Sequence, residues 1–224
     1  MHKAFYDVIR KDLFGGDLKQ SQVDGIERIA MKWSEYGDGD ERKLAYILAT
    51  DYHETAKTMQ PVREYGGLEY LKSKKYYPFY GRGDIQLTWE ANYADWSKRL
   101  DMPLVQYPDM ALQPAISARI LVQGMMLGTF THKKLADYIH GGACDFKEAR
   151  RVVNGTDKAN LIADHAWKFL AAIQAAPAPP DVEPVLPIPS AATLPPTGVQ
   201  VRNAGIFAVI AAAVAAVLKW FGWF

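Results

Sequence analysis

The fold of this chain is decided by residues 40–54, which read DERKLAYILATDYHE. Leu44, Ile47 and Leu48 recur at intervals of three and one residues, and this spacing puts them on one face of an α-helix. An alternating pattern, which would indicate a half-buried strand, is absent from the stretch. We therefore predict a helix over residues 40–53, with its apolar face turned towards the core.

The same helical spacing recurs on both sides of this stretch. One helix is expected over residues 23–36, with Ile26, Ile29 and Trp33 on its inner face. Residues 61–84 are rich in Gly, Tyr and Lys and are typical of a loop with short elements. The fold class predicted from these patterns is mainly α. Further helices are expected near residues 89–100, 111–127, 133–140, 146–153 and 158–174.

Composition restricts the classes of function. The chain has 224 residues, a net charge of +1, 23% charged residues and 49% hydrophobic residues, which is ordinary globular usage. Nucleic acid is not expected as the main partner, because phosphate binding needs a basic surplus. A single cysteine, Cys144, excludes an intrachain disulfide and a four-cysteine zinc site.

A zinc site was weighed at His53-Glu54, which opens like the helix motif of a metalloprotease. That motif needs a second histidine four residues after the first, and the residue there is Lys57. The other histidines show no ligand spacing. The sequence therefore predicts neither a metal nor another cofactor.

Glu54 is the first candidate for chemistry. It lies seven residues after Ile47 and so continues the apolar face of the predicted helix at its C-terminal end. A carboxyl group held there is partly removed from water, and the negative end of the helix dipole acts on it as well. Both effects favour the neutral acid, which is the form that protonates a glycosidic oxygen. The alternative is a helix-terminal glutamate that points into solvent.

A second carboxylate, Glu64, follows ten residues later, beyond Pro61 and on a predicted loop. Two carboxylates on either side of a cleft are the basic equipment of glycoside hydrolysis. One of them protonates the leaving oxygen, and the other activates water or attacks directly. Glu54 and Glu64 are therefore candidates for such a pair, but the chain holds 25 acidic residues and the pairing alone does not single out a glycosidase.

Residues 76–89, YYPFYGRGDIQLTW, form an aromatic and glycine-rich segment. Aromatic rings stack on sugar faces, and Gly81 and Gly83 allow close approach of the backbone. Arg82 lies between these glycines and is placed to orient carboxylates. The alternative is a tyrosine-rich loop that belongs to the core.

Short motifs follow one another in a fixed order between about positions 50 and 155. They are HET at 53–55, YGRG at 80–83, QLTW at 86–89, NY at 92–93 and RRVVNG at 150–155. In this order and chemistry the chain resembles glycoside hydrolase family 19, which includes plant and bacterial chitinases and many phage endolysins. The last motif resembles the closing Arg-x-x-Asn-Gly element of that family.

The resemblance implies a lysozyme-like bilobal helical domain with a central substrate cleft and an inverting mechanism. It implies that Glu54 is the general acid, that Glu64 takes the place of the general base, and that Thr88 positions the attacking water. Loops that lengthen the cleft of the chitinases are missing, and the run from Thr58 to Glu64 is phage-like, which favours peptidoglycan over chitin. The substrate-binding residues implied by the resemblance are His53, Tyr80, Arg82, Gln86, Asn92 and Asn154.

Three regions are predicted along the chain: a catalytic domain at 1–175, a proline-rich linker at 176–203 and a hydrophobic helix at 204–224. Proline removes a backbone donor and fixes φ, so the linker is expected to be extended. In residues 204–224 only Lys219 is charged, and a helix of this length spans roughly 30 Å, the thickness of a bilayer core. The tail is thus expected to insert in a membrane, with an interfacial or a docked helix as alternatives.

The function expected from these observations is that of a phage or prophage endolysin, which hydrolyses β-1,4 bonds of peptidoglycan for host cell lysis. Its partners would be glycan strands and, through the tail, a membrane, and the protein would be a monomer. The N-terminus lacks the apolar core of a signal peptide. We expect synthesis in the bacterial cytoplasm and action at the inner membrane or periplasm, or carriage in a virion. Alternatives are a chitinase of the same family and a non-catalytic, membrane-active phage protein that binds glycan.

Overall fold

The computed structural model describes residues 1–175. The predicted linker at 176–203 and the predicted membrane helix at 204–224 lie outside the described residues. Within residues 1–175 the chain is mainly α-helical, as predicted. Its α-helices are α1 (Lys3–Asp12), α2 (Gln20–Tyr36), α3 (Glu41–Glu54), α4 (Leu68–Lys72), α5 (Glu90–Leu100), α6 (Pro114–Leu127) and α7 (Ala159–Ile173).

The helix α3 is the centre of the core. Every residue from 43 to 52 is buried, and α3 packs against α2, α6 and α7. A helix whose whole circumference is enclosed needs small or apolar residues on all sides, and the run from Leu44 to Ala49 supplies them. The helix begins where the Asp40 side chain accepts a hydrogen bond from the backbone N–H of Arg42, at 3.1 Å. Glu54 is thereby fixed at the last position of a rigid element.

The N-terminal helix α1 was not predicted from the sequence. The His2 imidazole accepts a hydrogen bond from the backbone N–H of Phe5 at 3.2 Å and caps it. Phe5 and Ile9 are fully buried, and α1 lies against α7. The sequence pattern for α1 is only one spacing of four residues, between Phe5 and Ile9, which is too short to stand out as a helical period.

Two short antiparallel pairs complete the fold. The first joins β1 (Val62–Arg63) to β2 (Arg82–Gly83), with Val62 opposite Gly83. The second joins β3 (Ile139–His140) to β4 (Ala143–Cys144). The loop with short elements that was predicted for 61–84 is thus confirmed, as a hairpin that contains α4.

The predicted helix over 133–140 is wrong. This stretch forms a 3-10 turn, Leu135–Asp137, followed by β3. Gly141, at a φ of +49°, turns the chain into β4, so the backbone pairs with the next strand instead of continuing a helix. The helix predicted over 146–153 is also shorter and tighter, a 3-10 helix at Glu148–Val152.

No helix within residues 1–175 is long and apolar enough to cross a membrane.

Candidate active site

Glu54 lies on the wall of a cavity of about 350 Å³. Its side chain is 18% exposed, and its Oε1 accepts a hydrogen bond from the Arg150 guanidinium at 2.7 Å. Arg150 is 4% exposed and also donates from Nε to the carbonyl oxygen of Asp157 at 3.1 Å. The carboxyl group is therefore held in one orientation at the edge of a concave surface and does not point freely into solvent.

The sequence did not identify Arg150 as the partner of Glu54. Two arginines open the motif at 150–155, and the spacing Arg-x-x-Asn-Gly selects Arg151. Arg151 instead faces outward and pairs with Glu148 at 2.6 Å. Arg150, and not Arg151, is therefore the cation next to the Glu54 carboxyl group.

One wall of the cavity is formed by the segment before α5. The Thr88 hydroxyl donates to the carbonyl oxygen of Gln86 at 2.8 Å, and the Asn92 amide donates to the carbonyl oxygen of Thr88 at 2.7 Å. The Gln86 amide reaches the carbonyl oxygen of Val62 in β1 at 2.9 Å. These bonds fix the predicted polar residues around Glu54. The complete wall consists of Glu54, Ile85, Gln86, Leu87, Thr88, Trp89, Asn92, Phe130, Val153 and Asn154.

The opposite wall is tied together by the loop after α6. The Thr131 hydroxyl bonds the carbonyl oxygens of Arg151 and Val152, at 2.6 and 3.0 Å. The Asn154 side chain accepts from the backbone N–H of Gly155 at 2.8 Å, which orients its amide at the cavity wall. Two remote segments of the chain are thus joined on this side of Glu54.

Glu64 does not line this cavity. Directly after β1, its carboxylate accepts hydrogen bonds from the Tyr76 hydroxyl at 2.6 Å and from the backbone N–H of Gly81 at 2.9 Å. The hydrogen bond to Glu64 raises the pKa of Tyr76 to about 12. The Tyr76 ring meets the Trp89 ring edge to face at 5.3 Å, and Trp89 lines the cavity. One aromatic layer therefore links Glu64 to the site.

Tyr80 and Arg82, two predicted substrate-binding residues, lie in the interior. Arg82 is 4% exposed, and its Nε donates to Asp109 at 2.7 Å. Its NH1 donates to the carbonyl oxygens of Pro78 and Tyr80 and to the Tyr93 hydroxyl, each at 3.1 Å. The guanidinium also lies 3.7 Å from the centre of the Tyr80 ring. In this structure both residues hold the loop that carries the cavity wall.

His53 is half-buried beside Glu54 and is not on the cavity wall. Its pKa is lowered, mainly because burial disfavours the imidazolium. The neutral ring is therefore favoured at neutral pH. The structure thus gives His53 a place next to the candidate acid but no direct access to the cavity.

A buried acidic cluster beneath the cavity was missed by the sequence reasoning. Asp51, one turn before Glu54 in α3, is fully buried, and neither of its carboxylate oxygens has a hydrogen-bond partner in the described chain. Asp84 is also fully buried and pairs with Arg28 at 3.2 Å. The signal was available, because Asp51 is the one charged residue on the apolar stripe of α3.

Burial raises the pKa of both aspartates. The shift of Asp51 is large, with desolvation as the main cause and the Asp84 charge as the next. The pKa of Asp84 is raised by desolvation to about 6, against the opposing effect of Arg28. The pair therefore favours a protonated carboxyl close below Glu54. Within residues 1–175 no group of His, Cys, Asp and Glu side chains is arranged to hold a metal ion.

Comparison with known proteins gave partial sequence matches. No family model matches the chain. Two endochitinases of Arabidopsis thaliana are 34% identical over 84 residues and 32% identical over 124 residues. These stretches cover 34% and 47% of this chain and 30% and 41% of the relatives. The chain thus spans less than half the length of the curated relatives it matches.

Solved structures match over most of the chain. Chitinase C of Streptomyces griseus aligns with a TM-score of 0.56 and 17% identity, over 80% of this chain and 78% of that one. A bacterial family 19 chitinase aligns with a TM-score of 0.57 and 18% identity, over 79% and 96%. A class IV chitinase of family 19 from Zea mays gives 0.53 and 16%, over 80% and 95%. The chain therefore has the same fold as these family 19 chitinases.

Proposed function

We propose that residues 1–175 hydrolyse the β-1,4 glycosidic bonds of bacterial peptidoglycan. The observation that carries this proposal is the Glu54 carboxyl group on the wall of a polar cavity, with hydroxyl and amide side chains around it. A concave site with one oriented acid and several sugar-binding groups is suited to glycoside hydrolysis.

In the proposed reaction Glu54 gives its proton to the oxygen of the leaving sugar. Water adds to the anomeric carbon from the opposite face, and its proton passes to a second carboxylate, for which Glu64 is the candidate. The acid becomes a carboxylate in this step, and the Arg150 guanidinium, 2.7 Å away, stabilises the negative charge that develops. Thr88 and Asn92 line the same cavity as Glu54 and are the candidates to hold the water and the sugar.

An inverting reaction needs the two carboxyl groups about 6.5–9.5 Å apart, with a water between them. Each carboxylate oxygen of Glu64 accepts one hydrogen bond, from the Tyr76 hydroxyl and from the Gly81 N–H. Each carboxylate oxygen has two lone pairs, so Glu64 can take up a proton while it keeps these two hydrogen bonds. The Tyr76 ring lies against Trp89 of the cavity wall, so a sugar that packs on Trp89 would lie next to the tyrosine that holds Glu64.

We further propose the biological role of an endolysin for host cell lysis, as a monomer that acts at the inner membrane or periplasm. The support is in the sequence: a proline-rich stretch of about 28 residues separates the domain from residues 204–224, where only Lys219 is charged. The tail would hold the enzyme near a membrane while the linker lets the domain reach the wall. Carriage in a virion is the other route to the same substrate.

A chitinase is the second candidate function. It is favoured by the comparisons, since the curated relatives are endochitinases and the aligned structures are chitinases. Both candidates use the same catalytic residues. Purified peptidoglycan and soluble chitin oligosaccharides, each digested under the same conditions, separate the two by product analysis with mass spectrometry.

The decisive variant is Glu54→Gln, which keeps the size of the side chain and removes the proton donor. We expect it to lower kcat on purified peptidoglycan by about 10²–10⁴-fold, the usual contribution of a general acid. Lysis of chloroform-treated bacteria, followed as turbidity, gives a second measurement. Full activity of the variant would remove Glu54 from the mechanism, and cleavage of chitin alone by the wild type would favour the chitinase.

A further inference from the structure

A second cavity, of about 430 Å³, opens beside the first. The two share Asn92 and Phe130 in their walls, so they form one continuous depression. The Phe130 ring stands between them because it packs on Gly124 of α6, where an added Cβ would lie 2.2 Å from the ring. A ligand in the first cavity can therefore extend into the second past Phe130.

The second cavity differs from the first in its charges. Asn92, Asp95 and Arg99 follow one another on α5 at spacings of three and four residues, which puts them on one face of the helix. His132 lies in the loop across from this face. At about 1.5 Å per residue, Arg99 is roughly 10 Å along the helix from Asn92. The wall thus changes along α5 from the neutral amide of Asn92, at the shared boundary, to the carboxylate of Asp95 and the guanidinium of Arg99.

The charged groups of this wall are accessible to a ligand. Asp95 and Arg99 pair at 2.6 Å, but their side chains are 43% and 39% exposed, and exposed pairs at this spacing are weak. The Thr129 hydroxyl, also in the wall, is buried and has no hydrogen-bond partner in residues 1–175. A hydroxyl in this position is suited to bond a ligand that enters the cavity.

A neutral, unbranched polysaccharide has no charge to pair with Asp95 and Arg99. A short peptide attached to a sugar has amides, carboxylates and an amine, and roughly three extended residues cover the 10 Å from the boundary to Arg99. We propose that the second cavity binds the peptide branch of a glycan whose backbone occupies the Glu54 cavity. This inference rests on the proposed peptidoglycan hydrolase function and assigns that site a peptide-substituted substrate.

The test compares intact peptidoglycan with the same material after an amidase has removed its stem peptides. The full-length wild type should show a lower KM on the intact wall. The double variant Asp95→Asn/Arg99→Gln should lose this preference, with the ratio of the two KM values changed by about tenfold, as expected for one hydrogen bond to a charged group. The matched control is Lys98→Gln, an exposed position of α5 that does not line the cavity, and this variant should keep the preference.

A swapped variant, Asp95→Arg/Arg99→Asp, distinguishes a ligand site from a mere surface ion pair. It keeps the opposite charges on α5 but exchanges their places, so a ligand site should lose its preference and a surface pair should behave as the wild type. Circular dichroism of each variant checks that α5 still folds. Wild-type behaviour of both variants, or an equal loss on both substrates, would overturn the inference.

Binding gives a readout that does not need hydrolysis. The Glu54→Gln protein, with and without the α5 substitutions, is titrated with separated glycan strands that keep their stem peptides or that have lost them to an amidase. Tighter binding to the strands with peptides, and loss of that difference with the α5 substitutions, supports the peptide site even where the wild type proves inactive. Hydrolysis with equal binding to both kinds of strand overturns the peptide site and leaves the proposed hydrolase standing.

Discussion

The two candidate carboxylates sit on different kinds of structure. Glu54 ends a helix that is buried on all sides from residue 43 to residue 52, whereas Glu64 follows a two-residue strand in a stretch whose side chains are mostly exposed. Glu54 is oriented by one buried cation, Arg150, and Glu64 by a partly buried tyrosine and a backbone N–H.

The two positions suit different steps of the proposed reaction. A proton donor must stay at a fixed distance from the bond that breaks, and a core helix supplies that fixity. A group that handles water can adjust, and a loop supplies that freedom. Substitutions on the Glu54 side should therefore affect both stability and activity, whereas those on the Glu64 side should affect activity with little change in stability.

The largest effect on stability is expected for Arg150→Ala. The substitution leaves Glu54 partly buried without its cation and also removes the bond to the Asp157 carbonyl. Breaking a buried ion pair from one side costs about 3–5 kcal/mol in the free energy of unfolding. Urea denaturation measures it, with Arg151→Ala as the control, since Arg151 is exposed and pairs only at the surface. An equal loss of unfolding free energy in both variants would show that the buried ion pair of Arg150 contributes no more to stability than the surface pair of Arg151.

A smaller effect is expected for Glu64→Gln, and in activity alone. Loss of this proposed base should lower kcat on the proposed substrate, peptidoglycan, by about 10²-fold, while the midpoint of urea denaturation stays near that of the wild type. Glu69→Gln is the matched control, because Glu69 lies in the same hairpin but is 87% exposed. Full activity of Glu64→Gln would exclude Glu64 as the general base.

The smallest effect is expected for Asp51→Asn, which probes the acidic cluster below Glu54. The pKa of Asp51 is raised in the folded protein, so the folded state holds its proton at pH values where the unfolded chain, with a pKa of about 3.9, has lost it. The stability of the wild type should therefore fall as the pH rises above about 4. Asp84, with a pKa of about 6, should contribute to this fall between about pH 4 and pH 6.

With one acid removed, Asp51→Asn should be more stable than the wild type at pH 7, and the difference should narrow as the pH falls towards 4. Thermal unfolding across pH 4–7 measures both values. Asp164→Asn, at an exposed ion pair on α7, should follow the wild-type curve. A larger wild-type stability at pH 7 than at pH 4, relative to Asp51→Asn, would contradict the raised pKa.

The extent of prediction from sequence differs between helices and loops. The helices near 23–36, 89–100 and 158–174 were found within a few residues of their observed ends, because their apolar faces repeat over several turns. The helix predicted over 133–140 was wrong. Leu135 and Ile139 have a helical spacing, but a buried 3-10 turn followed by a strand also buries both of them. Periodicity in so short a window does not distinguish the two.

Among the site residues, motif order placed Glu54, Gln86, Thr88, Asn92 and Asn154 together, and the structure brings all five to one cavity. It did not distinguish a residue that faces the cavity from one that holds the loop behind it. Arg82 lies in the same motif as the wall but turns inward to Asp109 and Tyr93. A backbone motif specifies neighbours along the chain, while the direction of a side chain depends on what packs around it.

Local patterns along the chain were enough to predict that residues 1–175 are mainly helical, that Glu54 ends a helix with an apolar face, and that the motifs resemble family 19. These properties follow from local spacing, which repeats within a few turns of one element. Two features required the packed fold: Arg150 rather than Arg151 reaches Glu54 from 96 residues away, and the charge of Asp84 acts on the buried Asp51. Such contacts join distant parts of the chain, and their geometry exists only once the helices have packed.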